Sequence, residues 1–128
     1  MIVVEVENRS GVEVDAAGAV SLAREALARE GVDEAELGIA FVSRDEIRAL
    51  KARHLGIDEA TDVLSFPIDG LEELPAGVPR ALGDVVLCPQ VVGAEWRPPL
   101  VHGLLHLLGF DHGDAMERRE REILDGAA

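Results

Sequence analysis

Three of the four histidines of this 128-residue chain fall within eleven residues, His102-Gly-Leu-Leu-His106-Leu-Leu-Gly109-Phe-Asp-His112. At 3.6 residues per turn, His102 and His106 project from one helical face about a turn apart, so both imidazoles can reach one cation. Gly109 is expected to stop the helix, because glycine takes the left-handed conformation without a Cβ penalty. The chain can then double back and bring His112 to the same point. Three imidazoles leave a fourth coordination position open, which is the count of a catalytic zinc site rather than a closed structural one. Zn2+ is the first choice, and Ni2+, Co2+ or Fe2+ also suit three imidazoles.

The pattern HxxxHxxGxxH resembles the zinc motif of the metzincin peptidases, so the helix is expected to be zincin-like. One position separates it from them. Gly103 stands where those enzymes carry the glutamate that takes a proton from the metal-bound water, which argues against peptide hydrolysis by that route. A phosphodiester asks less of such a base, because the metal itself acidifies water and neutralises phosphoryl charge.

Two further segments precede this one, Thr61-Asp-Val-Leu-Ser-Phe-Pro67 and Leu82-Gly-Asp-Val-Val-Leu-Cys-Pro89. Together the three, in this order, resemble the YbeY family of bacterial rRNA maturation factors from about Leu37 to Leu124. The resemblance implies a cytoplasmic zinc-dependent endoribonuclease that acts on single-stranded RNA in small-subunit (16S) rRNA maturation and ribosome quality control. It implies as partners an rRNA precursor, the small ribosomal subunit and ribosomal or assembly proteins. It also implies substrate-cleft places for Thr61, Asp62, Ser65, Phe66 and Asp84. The chain departs from the family at Leu55, where an arginine often lies six residues before the Thr-Asp pair, and Arg53 nearby is not given that role.

The expected chemistry is therefore a metal-bound water that attacks phosphorus or assists proton transfer, with the ion stabilising the developing oxyanion. Asp111 can accept a hydrogen bond from a ligand imidazole, shape the turn, or act as general base. A lone histidine at a helix end, His54, is read as a partner of the carbonyl dipoles and left out of the site. Two rivals remain: a metzincin-like peptidase with a displaced base, and a non-catalytic ribosome-assembly factor whose metal only fixes the fold.

The net charge of -13, from 25 acidic and 12 basic residues, counts against a nucleic-acid substrate, because phosphate binding depends on Lys and Arg. One candidate basic stripe stands against it: Arg44, Arg48 and Lys51, spaced four and three apart on one helix flank. The alternative is a solvated face with Asp45 and Glu46 as partners. An acidic chain also suits a factor that binds basic ribosomal proteins and reaches RNA through them. No apolar run is long enough to span a membrane, and MIVVEVENRS lacks the pattern of a signal peptide, so a cytoplasmic location is expected. The single cysteine, Cys88, ends an apolar run and reads as a small buried hydrophobe.

The elements that must carry these residues are legible by period. Residues 2 to 7 alternate as a half-buried strand. Asp15 caps a helix with apolar positions Ala16, Val20, Ala23 and Leu27, ended by Gly31. A strand follows at Leu37 to Val42, and then a helix with Ser43 and Glu46 as a capping box and Ile47 and Leu50 inward, closed by Gly56. Strands at Asp62 to Phe66 and Asp84 to Cys88 flank a loop, Gly70 to Ala81, expected to be a mobile rim of the cleft. Pro98 and Pro99 suit the first turn of the metal-bearing helix. Asp114 and Glu117 repeat the capping pattern before a terminal helix that turns Met116, Ile123 and Leu124 inward. The expected architecture is α+β, one domain over residues 1–128 with a small mixed sheet packed with helices.

Overall fold

The computed structural model describes residues 1–126. The strands are β1 (Ile2–Asn8), β2 (Ala35–Phe41), β3 (Val63–Pro67) and β4 (Ala81–Leu87). The helices are α1 (Ala16–Arg29), α2 (Arg44–Leu55), α3 (Pro89–Val92), α4 (Arg97–Leu107) and α5 (Asp114–Gly126). The sheet order is β1-β2-β4-β3, with β1, β2 and β4 parallel and β3 antiparallel to β4. This is the mixed α+β sheet that the strand and helix periods anticipate. Pro67 closes β3 at the edge of the sheet, where a missing N–H costs the ladder least.

Local chemistry sets the helix ends. The Asp15 carboxylate accepts from the Gly18 amide at 2.9 Å, and the Ser43 hydroxyl accepts from the Glu46 amide at 3.1 Å. The reciprocal arm of the Ser43 box is diverted, because the Glu46 carboxylate pairs with Arg9 at 2.6 Å. The cap expected at Asp114 is corrected: this residue lies inside the first turn, where its charge meets the positive end of the helix dipole, and the Gly113 carbonyl receives the Glu117 amide.

The two faces of the sheet are covered unequally. Leu37, Ile39, Phe41, Val85 and Leu87 face α1 and α4 and form the main core with Leu22, Leu27, Leu100, Leu104 and Leu105, while α5 packs on the outside of α4 and α1. On the other face α2 covers a smaller cluster of Val42, Ile47, Leu64, Val86 and Cys88. Cys88 is fully buried, as its apolar surroundings in the sequence suggest. Helix α4 is apolar on most of its circumference, with Leu100, Val101, Leu104 and Leu105 all buried. Burial of each such side chain stabilises by about 1.5–3 kcal/mol. The His102 and His106 side chains keep partial exposure on the stripe that remains.

The loop between β3 and β4 is not a rim of the histidine cleft. The Ile68 and Asp69 amides donate to the Leu82 and Ala81 carbonyls and continue the antiparallel ladder, Gly70 then passes beside the Leu107 carbonyl of α4, and no residue of the loop lines the cavity. It is held there by Arg80 donating to the Gly70 carbonyl at 2.7 Å and the Ala81 amide donating to Asp69 at 2.8 Å. Its tip lies beside Met1, Asp33 and Glu34.

Candidate metal centre

The end of α4 makes the site. The Gly109 amide donates to the His106 carbonyl and the Phe110 amide to the Leu105 carbonyl, each at 3.0 Å, the paired bonds of a Schellman motif. Gly109 has φ +95°, the left-handed backbone this motif requires. The reversal carries His112 back to the helix, with ring centroids 5.0 Å from His102 and 4.6 Å from His106. One nitrogen from each ring lies within 4.8 Å of the others. The same reversal points the Phe110 carbonyl at His106 Nδ1, 2.9 Å away. A carbonyl only accepts, so Nδ1 carries the proton and the Nε2 lone pair is free. His106 Nε2 in turn lies 3.2 Å from His102 Nε2. Two nitrogens on one tetrahedral zinc at about 2.0 Å each stand roughly 3.3 Å apart, so this donor set fits such an ion.

The histidines open onto a cavity of about 850 Å³ whose opposite wall is the end of α2 and the β3 edge. Lys51, His54, Leu55, Thr61, Asp62, Ser65 and Phe66 line it. Burial pushes the His106 pKa down from its ordinary value, and the His102 and His112 rings add to this, against the Phe110 carbonyl and the Asp111 charge. The position of the missing peptidase glutamate is occupied by the sheet. A Cβ at Gly103 would lie 2.8 Å from Val85 Cγ1, 3.0 Å from Ser65 Oγ and 3.1 Å from Val63 Cγ2. A longer side chain there would run into the strands instead of reaching the histidines.

The sequence model of the family described as Endoribonuclease YbeY matches residues 5–127. The chain belongs to this family. It is 42% identical to the endoribonuclease YbeY of Beutenbergia cavernae, a match that spans 91% of this chain and 87% of that one. The proteins of the same name from Acidothermus cellulolyticus and Salinispora tropica are 41% and 38% identical, covering 94% and 91% of this chain and 84% and 87% of theirs. The solution structure of TM1509 from Thermotoga maritima shares the fold, with a TM-score of 0.59 at 23% identity over 99% of this chain and 89% of that one.

Within this YbeY fold the residues singled out by sequence separate into three groups. Thr61, Asp62, Ser65, Phe66 and Lys51 stand with the histidines around the cavity. Several of their polar groups are already engaged. Asp62 accepts from the Val63 amide at 2.8 Å, Ser65 donates to the Gly103 carbonyl at 2.9 Å, and Lys51 pairs with Glu59 at 2.9 Å. Asp84, Arg44 and Arg48 do not line it. Asp84 and Val86 alternate with Val85 and Leu87, so Asp84 points to the opposite face of the sheet, beside Gly38 and Glu5. Arg44 donates to the Gln90 carbonyl, and Arg48 pairs with Asp58 at 2.7 Å and with neither Asp45 nor Glu46, the partners expected for a solvated face. Asp111 is exposed and lines no part of the cavity, and its carboxylate has no hydrogen bond to an imidazole among the described residues.

Two cavity residues were missed by the sequence reading. His54 lines the wall, its ring 4.9 Å from that of Phe66 in an edge-on pair. Glu120 of α5 places a carboxylate oxygen 3.6 Å from His102 Nδ1. Its signal was present: Met116, Glu120 and Ile123 sit at helical spacing, so a charged residue interrupts an apolar stripe. Leu55 is 59% exposed at the cavity mouth, and Arg53 does not line the cavity.

Proposed function

We propose that the chain is a zinc-dependent endoribonuclease that cuts single-stranded RNA at the His102, His106 and His112 cluster, with the 16S rRNA precursor as its substrate. The observation that carries this is the convergence of three imidazole nitrogens at the wall of an 850 Å³ cavity, in a member of the YbeY endoribonuclease family. A cation held there supplies Lewis acidity, acidifying a water and neutralising phosphoryl charge. The chain's own groups do the rest. The Phe110 carbonyl keeps the His106 Nε2 lone pair turned inward. Lys51, its side chain 14% exposed, offers an ammonium to a phosphate on the facing wall in competition with Glu59. The His54 and Phe66 rings form an apolar surface against which a base can stack.

The wider setting follows the same reading: one domain over residues 1–128, at work in the cytoplasm on the small ribosomal subunit. No helix among the described residues is long and apolar enough to cross a membrane. The test is cleavage of a short single-stranded RNA by wild type of known metal content beside His106→Ala purified identically. Activity should fall to background in a mutant that keeps its helical signal. A 2′,3′-cyclic phosphate product identifies attack by the ribose hydroxyl, and a 5′-phosphate identifies attack by water. The charge of -13 favours a second reading, an assembly factor with a structural metal. In that case neither protein cuts and His106→Ala melts the domain.

A further inference from the structure

We infer that Glu120 is a positioning residue for the metal centre, the carboxylate that holds His102 in the tautomer able to bind a cation. The inference rests on the reading of the three histidines as metal ligands. His106 already has such a partner in the Phe110 carbonyl, whereas His102 has no backbone acceptor among the described residues. The Glu120 carboxylate lies 3.6 Å from His102 Nδ1, while His102 Nε2 is the atom that meets His106. The two contacts are on opposite sides of one ring. Glu120 therefore stands behind the imidazole and not at the point where the three donor nitrogens converge, and it is not part of the group of mutually close ligand atoms. A carboxylate in that place accepts a hydrogen bond from Nδ1–H, fixes the ring orientation and leaves the Nε2 lone pair facing the cation. At 3.6 Å the contact is longer than a hydrogen bond. Such contacts are often long in unliganded sites and shorten on loading.

The fold holds Glu120 in place. Met116 and Ile123, four residues before and three after it, are each 1% exposed and fix the rotation of α5. The neighbouring Arg119 pairs at 3.0 Å with Glu30, whose side chain is 7% exposed at the end of α1, and so fixes how far the helix slides. The Glu120 side chain is itself only 20% exposed, on the inward face of the helix. A charged group on this stripe is costly unless it has a partner, and His102 is the partner within reach.

The test is zinc affinity, read by competition with a chromogenic chelator, for wild type, Glu120→Leu, Glu120→Gln, His102→Ala and the double variant His102→Ala/Glu120→Leu. Leucine suits the stripe between Met116 and Ile123 and keeps α5 packed but cannot accept a hydrogen bond. Glu120→Leu should weaken zinc binding about 10- to 100-fold. Glutamine still offers an amide oxygen to Nδ1–H, so Glu120→Gln should stay within a few-fold of wild type. The double variant should bind no more weakly than His102→Ala, because Glu120 acts through that ring. Wild-type affinity in Glu120→Leu overturns the inference, as does no rescue by glutamine or an equal loss in the His102→Ala background. If wild type itself takes up no zinc, cobalt or nickel, the metal centre falls, and this role with it.

Discussion

His106 is held by three different forces, and they give it a pH dependence of known sign. Burial disfavours its charged form most, the neighbouring His102 and His112 rings oppose it further, and the Phe110 carbonyl and Asp111 pull the other way, leaving a pKa below the ordinary 6.5. The unfolded chain therefore takes up this proton before the folded one does. The stability tied to a neutral His106 is complete above pH 6.5 and is lost as the pH falls through the depressed folded value. Thermal melts of chelator-treated protein between about pH 8 and 5 should show a midpoint that drops on the acid side, with a shallower drop in His106→Gln. Identical acid slopes in the two proteins would sink the assignment. The three histidines were legible because helical period and a glycine stop are local facts. Glu120 was not, because its role depends on which helix packs beside α4. A glutamate between Met116 and Ile123 signals burial but does not name its partner.

Helix α4 brings the histidines to the cavity because its opposite side lies flush on β3 and β4. Gly103 makes that approach, and Ser65 donates to its carbonyl across the contact. Gly103→Ala sets two effects against each other: alanine favours a helix over glycine by about 1 kcal/mol, while forcing a methyl into a packed contact costs roughly 1–3 kcal/mol. All three atoms a Cβ would meet belong to the strands, two of them branched methyls of Val63 and Val85. The second effect should therefore win. The midpoint of thermal unfolding should fall by several degrees, and a variant as stable as wild type would show that α4 has room to spare. Strand alternation and helix capping were readable along the chain, and so the order of the longer elements was too. The side of the sheet taken by each helix was not. Ser65 and Asp84 look alike in sequence, as polar residues within apolar strands, yet one meets α4 and the other points away from it. The loop after β3 misled for the same reason, since its length says nothing about which surface it lies on.

At the scale of the molecule, a net charge of -13 must be reconciled with an anionic substrate. Screening reduces the conflict, because the Debye length is about 8 Å at physiological ionic strength and a strand bound in the cavity, as proposed, would feel chiefly the charges that line it. Much of the basic charge is paired: Arg9 with Glu7 and Glu46, Arg29 with Glu25, Arg48 with Asp58, Lys51 with Glu59 and Arg119 with Glu30. Only Lys51 of the α2 stripe lines the histidine cavity, and the Glu59 opposite it is largely exposed and can swing away. The stripe should therefore act through one residue, not three. Lys51→Glu should weaken binding of single-stranded RNA and reduce the slope of log K against log salt by about 0.7, the share of one phosphate contact on a single strand. Arg48→Glu alters the net charge equally but sits outside the cavity, so its slope should stay close to that of wild type. Glu59→Gln, which removes the competitor for Lys51, should tighten binding. Fluorescence anisotropy over a salt series, with cleavage blocked by His106→Ala, separates these cases. Equal slopes for Lys51→Glu and Arg48→Glu would mean that RNA responds to the charge of the molecule as a whole and does not enter the cavity beside Lys51.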